Sequence, residues 1–84
     1  MSYRRLQAAK GKSVGSKQTV KALKKHLAKV VYVADNADRR VVEPIIAICE
    51  EKQIPFIRVD TMKNLGKACS IKVDCAAAAI LEEN

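Results

Sequence analysis

Gly15-Ser16-Lys17-Gln18-Thr19-Val20-Lys21-Ala22-Leu23-Lys24, followed after five residues by Val30-Val31-Tyr32-Val33-Ala34, is the stretch on which the fold turns. Val20, Leu23 and Leu27 recur at i, i+3 and i+7, the spacing that builds an apolar stripe along one face of a helix. Lys17, Lys21, Lys24 and Lys25 fall away from that stripe. The helix is expected to begin at Ser16, whose hydroxyl can cap it, while Gly15 lets backbone approach a ligand closely. The second run is apolar at every position, as suits a strand covered on both faces. A helix feeding such a strand predicts an α/β architecture.

Working outward, Ser2 is placed to cap a short first helix through Ala9, which Gly11 breaks, and Lys12 to Val14 reads as a very short strand. Asp35-Asn36-Ala37-Asp38 reads as a turn and cap. Val41, Val42, Ile45, Ile46, Ile48 and Cys49 then give a helix with a broad buried face, closed by Glu50, Glu51 and Lys52. Pro44 belongs in a first helical turn, so that helix is expected to start near Glu43 or to follow an irregular turn. Pro55 introduces a short strand, Phe56 to Val59, and Thr61 caps a fourth helix to about Cys69. Cys75-Ala76-Ala77-Ala78-Ala79-Ile80 is ambiguous. Propensity favours helix, whereas its shortness and the value of small residues beneath closely packed helices favour a central strand.

Charge is distributed unevenly along the 84 residues. Nine Lys or Arg and no Asp or Glu lie before Asp35, whereas the remainder holds seven bases against nine acids, so all of the net +7 sits in the first two fifths. Such asymmetry points to nucleic acid or an anionic membrane surface. With 49% apolar residues the chain can build a modest core, which argues against disorder. No run approaches the roughly 20 apolar residues needed to cross a bilayer, and Met1-Ser2-Tyr3-Arg4-Arg5 lacks an apolar signal core. A cytoplasmic protein is expected.

The chemistry-bearing residues exclude more than they suggest. Cys49, Cys69 and Cys75 are odd in number at spacings of 20 and 6, fitting neither a disulfide framework nor a metal site, and are read as small apolar packing residues. His26 cannot complete a metal site with them. Gly11-Lys12-Ser13 mimics the end of a phosphate-binding loop, but Leu6 stands where the first glycine is required. No nucleophile and base fall together, so no enzyme and no cofactor are expected. The residues at the helix start cooperate instead. Lys17, Gln18 and Lys21 lie on or near one exposed face, lysine can contact phosphate or guanine O6 and N7, and a Gln amide both donates to and accepts from base edges.

These residues, with Val30 to Ala34 followed by Asp35 and Asp38, then Leu65-Gly66-Lys67-Ala68-Cys69 and the alanine-rich end, resemble one family over nearly the whole chain. It is the kink-turn RNA-binding family named after the archaeal large-subunit ribosomal protein "seven-Ae", and the likeness is greatest to its small bacterial, ribosome-associated branch. The resemblance implies a three-layer α-β-α sandwich with a four-stranded mixed sheet, a single kink-turn RNA-binding domain over residues 1–84, and the alanine-rich segment as a strand. It implies RNA that bends sharply at a bulge beside tandem sheared G·A pairs, in ribosomal RNA or a riboswitch-type regulatory RNA, with the ribosome as a partner and the protein a monomer.

In the archaeal pattern the helix opens Gly-x-Asn-Glu-x-x-Lys, and its Asn, Glu and Lys contact the G·A pairs. Gly15 matches the glycine, Lys17 stands at the Asn position, Gln18 at the Glu position and Lys21 at the lysine. Lys17 thereby loses an acceptor and gains a charge, while Gln18 keeps one carbonyl acceptor. Gly15, Ser16, Lys17, Gln18 and Lys21 are thus the implied recognition set, with Lys12 and Lys24 offsetting phosphate repulsion. The resemblance further implies that the loop Ile71 to Ala76 covers a bulged nucleotide, with Ile71, Lys72 and Val73 in contact. Ser70 stands where the family often has glycine, and Asp74 where small residues are common. Two other readings remain open on the residues alone: a non-specific basic nucleic-acid binder, and a protein-interaction module.

Overall fold

A computed structural model of the chain describes residues 3–83. In chain order its elements are α1 (Arg4–Ala8), β1 (Gly11–Val14), α2 (Ser16–Lys24), β2 (Val30–Ala34), α3 (Arg39–Lys52), β3 (Phe56–Val59), α4 (Met62–Ala68) and β4 (Ala77–Glu82). The expected first cap, Ser2, lies outside the described residues.

The four strands form one mixed sheet in the order β1-β4-β2-β3, with β2 and β3 parallel and both pairings of β4 antiparallel. Helices α2 and α3 cover one face, and α1 and α4 the other, completing three layers. The alanine-rich segment is therefore a strand. Ala77, Ala78, Ala79 and Ile80 are wholly buried between two neighbouring strands and two helical layers, an environment that overrides alanine's helix propensity. Every residue of β2 is buried, as its unbroken apolar run predicts.

Local chemistry sets the remaining boundaries. The Asp38 carboxylate accepts from Arg40 N at 2.8 Å to cap α3, and the Arg40 guanidinium folds back on it at 2.9 Å, holding that carboxyl below its ordinary range. Thr61 Oγ1 accepts from Asn64 N at 3.1 Å to cap α4. Contrary to expectation, α3 starts at Arg39 and runs through Pro44. Its first turn is already fixed by Asp38, whose carbonyl accepts from Val41 N at 2.9 Å and Val42 N at 3.1 Å. Pro44 then removes one further amide bond on an exposed face. On the same helix Val42, Ile45 and Cys49 are buried, but Val41 remains 38% exposed.

Leu27 departs further from its predicted place, at 52% exposed. Helix α2 ends at Lys24 and His26 turns the chain with φ 58°, so the position one turn beyond never lies on the helix. The buried face of α2 is Thr19, Ala22 and Leu23, with Val20 at its edge. The ends of the chain are tied to the body: Tyr3 donates its hydroxyl proton to Asp60, Arg5 pairs with Glu83 at 2.6 Å, and Lys10 with Glu82 at 3.9 Å. All three cysteines are free and buried, and burial pushes the Cys49 thiol up. No helix among the described residues is long and apolar enough to cross a membrane.

Gly66 is held by sterics. A Cβ there would lie 2.3 Å from the Val73 carbonyl oxygen and 3.6 Å from Asp74 Cα, so the loop before β4 can lie on α4 only over a glycine. Gly66→Ala is expected to destabilise the fold by about 1 to 3 kcal/mol, measured as a lower urea midpoint at unchanged slope.

Candidate nucleic-acid interface

Three features meet at the edge of the sheet where β1 ends, β4 begins and β2 ends. Gly15 N–H donates to Ala77 O at 2.9 Å, and Ala34 N–H donates to Ala76 O at 2.9 Å. The start of α2 is thus hydrogen-bonded to the beginning of β4, immediately after the Ile71 to Ala76 loop. Two segments separated by more than fifty residues in sequence form one surface.

Gly15 makes the sharp entry into α2 with φ 101° and ψ 153°, a region open in practice only to glycine. A Cβ there would meet nothing within 4 Å, so the requirement is conformational rather than steric. Gly15, and not Ser16, is the N-cap, and no side chain caps this end. The cap expected of Ser16 fails because Ser16 is already the first helical residue. Thr19 fastens the turn from below, where its amide and hydroxyl both donate to Gly15 O, at 2.9 and 2.8 Å. The amides of Ser16, Lys17 and Gln18 consequently have no acceptor within the helix, and the positive end of its dipole points outward.

Lys17, Gln18 and Lys21 are exposed around this opening. Lys17, Lys21, Lys24 and Lys25 make no ion pair among the described residues, in contrast to Arg5 and Lys10, which are paired to the carboxyl-terminal acids. A run of unpaired positive charge therefore lies along α2. Gln18 and Lys21 also wall a hollow of about 250 Å³ with Ser13, Ala22, Lys25, Leu27 and Leu81. Lys25 and Leu27 were not singled out for this surface. Lys25 reaches it from the C-cap of α2, where its N–H donates to Lys21 O, and Leu27 is brought round by the left-handed residue His26, a turn of which a histidine gives no signal.

The other predicted residues divide. Lys24 is exposed at the far end of α2, roughly 12 Å along the axis from Ser16. Lys12 is half-buried on β1 and its Nζ reaches back to Gln7 O at 3.5 Å, away from the helix start. In the loop, Ile71 is half-buried, Lys72 and Asp74 are exposed, and Val73 is 69% exposed, the most exposed large apolar residue of the described chain. Ser70 adopts φ 62°, the left-handed conformation that glycine takes most easily.

Comparison with known proteins follows the same outline. A family model described as "Ribosomal protein L7Ae/L30e/S12e/Gadd45 family" matches residues 2–84. An "RNA-binding protein" of Geobacillus thermodenitrificans (strain NG80-2) is 46% identical over 81 residues, covering 96% of this chain and 99% of its own. "RNA-binding protein YbxF" of Geobacillus stearothermophilus matches to the same extent. Among solved structures, the "Giardia lamblia 15.5kD RNA binding protein" superposes with a TM-score of 0.85 at 23% identity, covering 98% of this chain and 69% of that one, a likeness of fold.

L-Alanine at position 15 is expected to cost about 1 to 3 kcal/mol through backbone strain alone. A synthetic chain with D-alanine there, which accepts positive φ, should keep more of the parent melting temperature than the L-alanine chain; equal losses for the two isomers would show that the conformation is not what selects glycine.

Proposed function

The chain belongs to the ribosomal protein L7Ae/L30e/S12e/Gadd45 family, and on that premise we propose that it is a non-catalytic RNA-binding protein that recognises and stabilises kink-turn RNA. The whole chain acts as one kink-turn-binding domain, a cytoplasmic monomer that is associated with the ribosome or with a riboswitch-type regulatory RNA. The observation that carries this reading is the uncompensated α2: a helix start with free amides, bearing lysines that no acid neutralises, beside an exposed apolar loop.

Straight A-form RNA has a major groove too narrow for side chains, whereas a sharp bend opens it and offers purine edges to an inserted helix end. Lys17 and Lys21 reach guanine O6 and N7 or phosphate, and the Gln18 amide reads a base edge as both donor and acceptor. Ile71 and Val73 cover the bulged nucleotide with apolar surface, and Lys72 meets its phosphate. Lys24 lies too far along α2 to share a base with Gln18 and contributes field. Bending also crowds two phosphate backbones, and the α2 lysines offset that repulsion. The protein shifts RNA toward the kinked form only as far as its preference for that form extends.

Gel-shift titration of a bulged RNA with tandem G·A pairs, against the same RNA with those pairs made Watson–Crick, tests the reading. Gln18→Ala or Lys21→Ala should lose about 1 to 3 kcal/mol on the first RNA, and Lys24→Ala should mainly reduce the salt slope, by about one. Equal affinities and equal losses on both RNAs would identify a non-specific polyelectrolyte binder instead.

A further inference from the structure

The hollow beside α2 is lined by polar side chains that have no partner in the fold. Ser13 is only 9% exposed, yet its hydroxyl makes no hydrogen bond among the described residues, whereas Thr19, the other buried polar residue, is bonded to Gly15 O. Every fully enclosed side-chain nitrogen or oxygen among the described residues has a partner, so the unbonded Ser13 Oγ is open to the hollow that it lines. Alternation along β1 turns it there, since the neighbouring Lys12 reaches instead toward Gln7 O of α1, on the opposite face of the sheet. The Gln18 amide and the Lys21 and Lys25 ammonium groups around the hollow likewise have no hydrogen bond or ion pair among the described residues. Exposed Leu27 and half-buried Leu81 supply an apolar wall.

We propose that this hollow seats one ribonucleotide of the bound RNA strand, with the Ser13 hydroxyl on the ribose 2′-hydroxyl, and that here the protein distinguishes RNA from DNA. The assignment rests on the RNA-binding reading above and adds a contact to it. An occupant has to satisfy a hydroxyl and an amide, meet two ammonium groups and lie against leucine. A ribose offers its C–H faces to Leu27 and Leu81, its 2′-hydroxyl both donates and accepts, and its flanking phosphates attract Lys21 and Lys25. These lysines stand one turn apart on the flank of α2, about 5 to 6 Å between Cβ atoms, and so straddle a strand running past the helix. At about 250 Å³ the hollow is smaller than the roughly 300 to 1,000 Å³ that enclose a free small molecule. It holds one unit of a longer ligand. Gln18 and Lys21 belong both to this hollow and to the exposed opening of α2, so the rest of that ligand lies on the helix start.

Burial gives the discrimination its sign. A ribose in the hollow supplies Ser13 Oγ with the partner that the fold withholds, whereas a deoxyribose covers the hydroxyl, cuts it off from water and leaves it unbonded. Removing the hydroxyl therefore removes the preference. Ser13→Ala takes a bond from no group of the protein, so the free chain should melt no lower than the parent. Lys25 acts on the same nucleotide from the phosphate side, a contact that positions the strand without reading its sugar or base.

A 2′-deoxy scan tests this: the G·A RNA is made with one deoxyribose at a time and titrated against the full parent chain and Ser13→Ala. At one position, or at two adjacent ones, the deoxy sugar should weaken binding to the parent several-fold and leave binding to Ser13→Ala unchanged. Ser13→Ala should bind the all-ribose RNA about as weakly as the parent binds the deoxy one. An uncharged methylphosphonate beside that sugar should weaken the parent and cost the exposed variant Lys25→Gln less, which keeps the test open if Ser13→Ala melts below the parent. A scan that is flat in the parent, or deoxy losses of equal size in parent and Ser13→Ala at every position, would overturn the seat. Tight binding of adenosine monophosphate alone would make the hollow a free-nucleotide site and overturn its assignment to RNA. Equal affinity for the G·A RNA and its Watson–Crick counterpart would count against kink recognition alone, because the scan is read on whichever RNA the chain binds.

Discussion

Strand β4 has to pair along both edges and pack on both faces, and at Ala77, Ala78 and Ala79 it does so with single methyl groups. Larger side chains there would force the helical layers apart, at the cost of about 1 to 3 kcal/mol that overpacking carries. Because β1 and β2 are both antiparallel to β4, the end of β1, the end of β2 and the beginning of β4 fall at one edge of the sheet. Gly15 and Ala34 bond to consecutive residues of the segment entering β4 for that reason. The position of the candidate interface is a consequence of the sheet's centre and is not separately encoded.

Much of this was legible in the sequence, and the exceptions share a cause. The unbroken run Val30 to Ala34 and the caps Asp38 and Thr61 are local signals that nothing contradicts. Leu27 misled because periodicity assumes the helix persists, and His26 ends it in a left-handed turn without a glycine to announce it. Pro44 misled because proline's cost is one hydrogen bond, which a firmly capped helix of 14 residues absorbs. The alanine run could not be decided from propensity. Its state depends on neighbours fifty residues away, and the family resemblance supplied what local chemistry could not.

At the candidate site, the type and spacing of Gly15, Lys17, Gln18 and Lys21 were visible, but two qualities were not. One is pairing: sequence counts nine early bases alike, whereas folding neutralises Arg5 and Lys10 against Glu83 and Glu82 and leaves the α2 lysines bare. The other is adjacency. Nothing in the spacing of the cysteines reveals that Cys75 and Gly15 share the carbonyl of Ala77. Cysteines read as packing residues are packed as expected.

The order of the strands bears also on how the chain acquires its shape during synthesis. The central strand is the last to be made, so β1 and the parallel pair β2–β3 emerge with no partner between them and present unpaired edges. Most of the contacts that define the sheet are long-range, which makes assembly slower than that of a bundle of the same size. The helix bearing the lysines is therefore made early and positioned late. A nascent chain carries all nine of its early bases well before β4 exists to fix the start of α2, so the charge precedes the geometry that places it.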